Sequence, residues 1–142
     1  MSSISLHRAK RIINQVFEYG KQQQLRPLAV AVVDQGGHVI AFERQDGAPP
    51  GRFNLSYGKA RAAILMGLGG TSLQNLSEQR SDFALAANGA YNGDFVPIMG
   101  AVLVQDKHGK TIGAIGVSGA TSEEDKEAGC HAIAAVNLVA IG

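Results

Sequence analysis

The stretch that decides the fold is LAVAVVDQGGHVIAFERQDG, residues 28–47. Leu28–Val33 and His38–Arg44 are both rich in apolar and β-branched residues, which are typical of strands. Between them stands Asp34-Gln-Gly-Gly, whose residues tolerate the positive φ angles of a tight turn. The pattern predicts an antiparallel β-hairpin, and its first strand is so apolar that we expect both of its faces to be covered.

A second hairpin is predicted nearer the C-terminus, where Val96–Gln105 and Thr111–Ser118 flank the turn Asp106-Lys-His-Gly. Apolar residues at helical spacing predict the other elements: helices over 5–24, 53–68 and 122–140, a stop at Gly69-Gly70, and one or two short helices within 71–93. Because strands joined by tight turns are antiparallel, the fold class is α+β, an antiparallel sheet flanked by helices. A Rossmann fold is excluded, since it needs alternating strands and helices with parallel pairing.

Size and composition narrow the function classes. A chain of 142 residues fits one domain, 1–142, and its net charge of +1 gives no reason to expect a nucleic-acid partner. One cysteine, Cys130, excludes an intrachain disulfide and a multi-cysteine metal site. The N-terminus lacks the apolar core of a signal peptide, and no apolar run approaches the ~20 residues of a membrane span. We therefore expect a cytoplasmic protein without a membrane partner.

The stretch GAIGVSGATSEEDKEAG, residues 113–129, allows three interpretations. Residues 116–120 read G-V-S-G-A and lack the second glycine of a nucleophile elbow, and the glycine spacing matches neither a dinucleotide fingerprint nor a P-loop. Thr121 followed by Glu124 predicts a capping box, in a first turn whose acids suit the helix dipole. We interpret this segment as a helix start, with Ser118-Gly119 bordering a pocket.

Three stretches, in this order, resemble one known family: AVAVVDQGGHVIAFERQDGA (29–48), SYGKARAA (56–63) and GAIGVSGATSEEDKEA (113–128). Over residues 5–140 the chain is similar to the GlcG/HbpS-like family of haem-degrading or haem-binding domains. This family also supplies the C-terminal domain of a corrinoid adenosyltransferase of propanediol utilisation. The resemblance implies a profilin-like or PAS-like fold and a homo-oligomer built from dimers. Some members of the family bind or degrade haem, so haem is a candidate cofactor, and others are named only for a neighbouring catabolic operon. The family commonly has Met where this chain has Gln45.

Histidines are the candidate ligands for haem iron. His38 opens the second strand, His7 lies on the polar side of the first helix, and His131 lies in the last helix. A neutral imidazole can ligate haem iron or transfer protons. The alternative for each is a surface or packed histidine without such a role. No C-x-x-C-H motif is present, so covalent haem attachment is excluded.

Arg44, Asp46 and Lys59 form the candidate catalytic group. Arg44 and Asp46 are two residues apart and would share one face if the strand persists, and Lys59 could pair with Asp46. Arg44 could hold a carboxylate in its fork while Asp46 or Lys59 moves a proton, with Tyr57 and Ser118 as hydrogen-bonding neighbours. The alternative is a structural ion pair that fixes the turn after the second strand.

Three functions remain open from the sequence. The first is an oligomeric protein that binds haem, another tetrapyrrole or another small molecule, accessory to a catabolic pathway. Its ligand would contact His38, Tyr57, Ser118 and Gly119. The second is a cofactor-independent enzyme that acts on a small organic acid through the Arg44, Asp46 and Lys59 group. The third is a scaffold subunit of a catabolic complex.

Overall fold

A five-stranded sheet lies between two layers of helices in the computed structural model, which describes residues 3–142. The elements follow one another along the chain as α1 (Leu6–Gln22), β1 (Ala29–Val33), β2 (Val39–Arg44), α2 (Arg52–Met66), α3 (Gly70–Gln79), α4 (Ser81–Ala90), β3 (Ala101–Gln105), β4 (Thr111–Ser118), α5 (Ser122–Ala135) and β5 (Val139–Ile141).

The strand order is β2-β1-β4-β3-β5, and every neighbouring pair is antiparallel. The two predicted hairpins are β1–β2 and β3–β4, and they join through β1 and β4 at the middle of the sheet. All five residues of β1 are buried, as its apolar composition predicts. The predicted class, an α+β fold with an antiparallel sheet flanked by helices, is confirmed.

Both hairpin turns use the same local chemistry. The Oδ1 atoms of Asp34 and Asp106 each accept two backbone N–H groups across the turn, at 2.9 and 3.0 Å. The fourth turn residue is a glycine in the left-handed region, with φ of 83° at Gly37 and 80° at Gly109. Aspartate side chains that bond to their own turn stabilise this conformation, which explains why the two turn sequences are alike.

The two faces of the sheet differ in side-chain size. Large aliphatic residues fill the face toward α1 and α5, among them Val30, Val32, Val102, Ile115 and Val117. The face toward α2 carries Val33 and Leu103 together with a patch of small residues, Ala101, Ala114 and Gly116. A Cβ on Gly116 would collide with the Ser56 carbonyl oxygen, so the backbone of α2 lies directly on β4. The small residues of α2 are a requirement of this close approach.

Two predicted boundaries of the second half are wrong. The strand predicted over 96–105 begins at Ala101, because residues 96–97 are irregular and residues 98–100 form a bend and turn in which Gly100 has a φ of 104°. The helix predicted over 122–140 ends at Ala135, because Asn137 adopts a left-handed φ of 62°. Residues 139–141 then form β5 against β3. A short apolar run fits a strand or a helix by periodicity alone, so the run after Asn137 was open to either assignment.

The end of the helix predicted over 53–68 also differs. Helix α2 ends at Met66, where Gly67 takes a left-handed φ of 68° and donates its N–H to the Ala63 carbonyl. Gly69 is instead the extended residue that precedes α3, and Gly70 is the first residue of that helix. The sequence predicts one or two short helices within 71–93, and the structure has two, α3 and α4, of which α3 begins one residue earlier, at Gly70.

Candidate functional site

A polar cluster lies inside the molecule at the C-terminal end of β4. Lys59 of α2 is 3% exposed, and its Nζ donates to the Val117 carbonyl at 2.7 Å and to Asp125 Oδ2 at 3.1 Å. The last pair between β3 and β4 is Ala101 with Gly116, because β3 begins at Ala101. Val117, the next residue of β4, donates its N–H to the Gly100 carbonyl, just before β3 begins. Lys59 therefore gives the Val117 carbonyl the hydrogen bond that a backbone N–H of a neighbouring strand would otherwise give. Through Asp125 the same lysine links α2 to α5 at this end of the sheet.

Burial dominates the ionisation of this pair. Desolvation lowers the pKa of Lys59 below its ordinary 10.5, although the charge of Asp125 opposes the shift. Desolvation likewise raises the pKa of Asp125 above 3.8, although Lys59 and the Ala120 N–H, which donates to Asp125 Oδ1 at 3.0 Å, oppose it. Removing either partner would leave a buried charge without its counter-charge.

Lys59 pairs with Asp125 and not with Asp46, which is a correction to the predicted pairing. The two residues lie apart. Lys59 is on the buried side of α2 and reaches the end of β4, whereas Asp46 is exposed in the turn after β2. The proposed catalytic group of Arg44, Asp46 and Lys59 is therefore divided between a surface groove and a buried cluster.

Two other predicted residues belong to the buried region. Ser118 is 1% exposed, its Oγ lies 2.7 Å from Ser56 Oγ, and it donates to the Arg52 carbonyl at 3.3 Å. Gly119 is buried with a φ of 129°, and a Cβ there would collide with the Pro27 carbonyl oxygen. The structure places both residues where they join β4 to its neighbours.

Arg44 and Asp46 line one open groove of about 570 Å³, beside the C-terminal end of α1 and the end of β2. Its walls are formed by Phe17, Gly20, Lys21, Leu25, Pro27, Glu43, Arg44, Gln45 and Asp46. The strand ends at Arg44, so Asp46 stands in the following turn and not on the strand itself. Gln45 Oε1 accepts the Leu28 N–H at 2.7 Å, so this side-chain amide ties the end of β2 to the residue before β1.

The candidate iron ligands lie on three separate elements. His7 on α1, His38 at the β1–β2 turn and His131 on α5 are all exposed. The His131 ring packs 4.7 Å from the ring of Tyr19, within the α1–α5 layer. Burial, helped by Glu127, raises the pKa of Tyr19. Within residues 3–142, no group of three or more His, Cys, Asp or Glu side chains could hold a metal ion.

Tyr57 belongs to a second surface, which we call the aromatic face and define as Phe42, Phe53, Tyr57 and Arg61. Phe42 and Phe53 pack edge to face with centroids 4.9 Å apart, and Phe53 and Tyr57 stack at 5.4 Å. The Arg61 guanidinium carbon lies 5.8 Å from the Tyr57 centroid. Residues 53, 57 and 61 are four apart and so share one side of α2.

The sequence reasoning missed Asp125 and most of the aromatic face. A signal for Asp125 existed, because Asp125, Ala128, Gly129 and Ala132 follow helical spacing and form the buried side of α5. A signal for the aromatic face existed in the four-residue spacing of Phe53, Tyr57 and Arg61. The contribution of Phe42 depends on the register of β2 with β1, which local sequence does not specify.

The helices of the described chain include none whose length and apolar content would allow it to cross a membrane.

Known proteins resemble this chain over most of its length. An uncharacterised 15.0 kDa protein from the dhaT–dhaS intergenic region of Citrobacter freundii is 29% identical over 126 residues, which cover 89% of this chain and 87% of that protein. The crystal structure of a PduOC–haem complex is 26% identical, with a TM-score of 0.83 and 96% of both chains covered. A double mutant of Streptomyces reticuli HbpS is 26% identical, with a TM-score of 0.79, covering 96% of this chain and 88% of that one.

The family model that matches is described as that of the haem-degrading protein HbpS-like family, and the match covers residues 4–134. The matched region includes both hairpins, the buried Lys59–Asp125 pair and the aromatic face. The chain therefore belongs to the HbpS-like family.

Proposed function

We propose that this protein binds haem, or a closely related tetrapyrrole, without covalent attachment. The observation that carries the proposal is the likeness of this chain to PduOC, which was crystallised with haem. The two chains are 26% identical, and the comparison covers 96% of each. The likeness extends through the whole domain, and the HbpS-like family model matches residues 4–134 as well. When bound, haem would supply an iron centre for ligand binding or electron transfer, and a histidine of this chain would hold it.

The residues present fit such a ligand. The imidazoles of His7, His38 and His131 are exposed, so each can reach iron without unfolding an element. We further propose an accessory role, as a carrier or sensor in a catabolic pathway. Lys59 is buried against Asp125, away from Arg44 and Asp46, which supports binding over catalysis by that group.

The test is titration of the purified protein with haemin by visible spectroscopy. We expect a saturable shift of the Soret band, and we expect one of the variants His7→Ala, His38→Ala, His108→Ala and His131→Ala to lose it. A featureless titration of the unmodified protein would refute haem binding. Equal binding by all four variants would refute ligation by histidine.

We also propose that the protein is a homo-oligomer built from dimers. Its support is the exposure of large apolar side chains, with Leu85 on α4 75% exposed and Leu6 on α1 57% exposed. Light scattering coupled to size exclusion gives the mass in solution. A mass equal to the 14.8 kDa of one chain at all concentrations would contradict the proposal.

A second candidate function follows from the groove, in which the cations Lys21 and Arg44 stand beside the acids Glu43 and Asp46. Two cations suit the carboxylate of a small organic acid, and Asp46 could exchange a proton with it. Thermal-shift screening of small carboxylates tests this function. We expect a raised melting temperature for one of them that Arg44→Gln abolishes, and a screen without any shift would argue against it.

A further inference from the structure

Resting on the second candidate function, which places a small organic acid in the groove beside α1 and β2, we infer that the ligand of this groove is a free α-amino acid with an apolar side chain. Such a ligand carries a carboxylate and an ammonium group on one carbon atom. The groove presents cations, acids and apolar surface together. Its volume of about 570 Å³ is within the range of roughly 300–1,000 Å³ that is usual for small-molecule sites.

Charges of both signs line the groove without pairing with one another. The four charged side chains are those of Lys21, Glu43, Arg44 and Asp46. Within residues 3–142 the ion pair is that of Lys59 with Asp125, so none of these four side chains lies within ion-pair distance of an opposite charge. The groove therefore leaves an anionic and a cationic group of a ligand each a partner to bind.

Glu43 and Lys21 stand on the same side of the sheet. Glu43 is the cross-strand partner of Val30, and Val30 belongs to the core that packs under α1, so Glu43 leaves its strand toward α1. Lys21 lies in the last turn of α1. A ligand carboxylate bound to Lys21 and a ligand ammonium bound to Glu43 would thus be held by the two walls of one groove.

The backbone of both walls is fixed against Leu28. On the side of β2, the Gln45 N–H donates to the Leu28 carbonyl at 2.9 Å, and Gln45 Oε1 accepts the Leu28 N–H at 2.7 Å. On the side of α1, Gly20 lies against the same residue, because a Cβ there would stand 2.8 Å from Leu28 Cδ1. The walls therefore keep their separation without a ligand, which reduces the ordering that binding has to impose.

The mixture of charges selects against ligands of a single sign. Glu43 and Asp46 repel a ligand that carries only a carboxylate, and Lys21 repels a ligand that carries only an ammonium group. An amino acid gives each of them an opposite charge. Phe17 and Leu25, which line the groove and pack on the core, supply apolar surface for its side chain.

The experiment compares leucine with two analogues that each lack one charged group. 4-Methylpentanoate is leucine without the ammonium group, and 3-methylbutylamine is leucine without the carboxylate. Isothermal titration calorimetry measures all three against the unmodified protein, Lys21→Gln and Glu43→Gln. The matched controls are Lys10→Gln and Glu18→Gln, which change exposed residues of α1 that do not line the groove. Thermal melting confirms that each variant folds.

We expect leucine to bind, and each analogue to bind about tenfold more weakly or less. Lys21→Gln and Glu43→Gln should each weaken leucine binding about tenfold, with no loss in the controls. Glu43→Gln should at the same time strengthen binding of 4-methylpentanoate, because it removes a repelling charge, and a purely structural role of Glu43 would not produce this opposite change.

Two outcomes would overturn the inference, and they bear differently on the second candidate function. If 4-methylpentanoate binds the unmodified protein as tightly as leucine does, the inference fails and the second candidate function stands. If none of the three compounds binds, the inference fails, and the wider screen of carboxylates decides the second candidate function by itself.

Discussion

At the scale of single residues, some glycines are required because a side chain would collide with a neighbouring segment, and others are not. Gly116 supports the backbone of α2, and any side chain there meets the Ser56 carbonyl oxygen. Gly89 of α4 has nothing within 4 Å of its would-be Cβ. Identical substitutions at these two positions should therefore act in opposite directions.

We predict that Gly116→Ala lowers the free energy of unfolding by about 3 kcal/mol, because the rigid contact is between two backbones and neither can yield by a rotamer change. Gly89→Ala should raise it by about 0.5–1 kcal/mol, because alanine has the higher helix propensity. Urea unfolding followed by circular dichroism measures both. Equal effects would show that α2 does not lie against β4 as closely as described.

The buried ion pair makes a second residue-scale prediction, which concerns pH. Asp125→Asn leaves the Lys59 charge buried without a counter-charge, at a cost of about 3–5 kcal/mol at neutral pH. In this variant the pKa of Lys59 in the folded state falls further below the 10.5 of the unfolded chain. At any pH between these two pKa values the unfolded chain holds more protons than the folded chain. The stability of the variant therefore rises with pH across that window.

Urea midpoints measured from about pH 7 to about pH 10 should show the gap between Asp125→Asn and the unmodified protein narrowing as pH rises. The exposed carboxylate variant Asp82→Asn is the control, and its gap should stay constant over the same range. A gap that widens toward high pH would contradict the assignment of Lys59 as the buried, proton-losing group.

At the scale of elements, the helix start at Thr121 is a predicted feature that the structure confirms. Thr121 Oγ1 accepts the Glu124 N–H, and Glu124 Oε1 accepts the Thr121 N–H, both at 3.1 Å. We predict that Thr121→Ala lowers the free energy of unfolding by about 1 kcal/mol, while Ser122→Ala one residue later changes it little. Chemical denaturation of both variants provides the measurement, and equal losses would argue against the capping box.

Features encoded within a few residues were predictable, and features that join distant residues were not. The capping box and the two aspartate turns depend on side chains that bond to backbone groups two to four residues away, so the sequence displays them directly. Asp125, the partner of Lys59, is 66 residues away in the sequence. The two meet at the end of β4, in the space left because β3 begins at Ala101 and does not cover the last residues of β4. No local pattern reports where a neighbouring strand begins.

At the scale of the whole molecule, protection from exchange should follow depth in the sheet. Strands β1 and β4 have neighbours on both sides, and β1 is wholly buried, whereas Ala87 is the buried residue of α4. We predict that amide hydrogens of α4 exchange first and those of β1 and β4 last. Hydrogen–deuterium exchange read by mass spectrometry tests this order. Protection of α4 equal to that of β4 would show that the exposed Leu85 side is covered in solution.

The unequal faces of the sheet have a consequence for how this chain can change over time. On the side of α1 and α5, Val30 and Ile115 fill space that another aliphatic residue of similar volume could fill, so neutral drift is open to them. On the side of α2, Gly116 accepts no side chain, because a Cβ there would collide with the backbone of α2. The line where α2 crosses β4 should therefore change least, and a saturation mutagenesis map should show its sharpest contrast between Gly116 and the aliphatic residues on the opposite face.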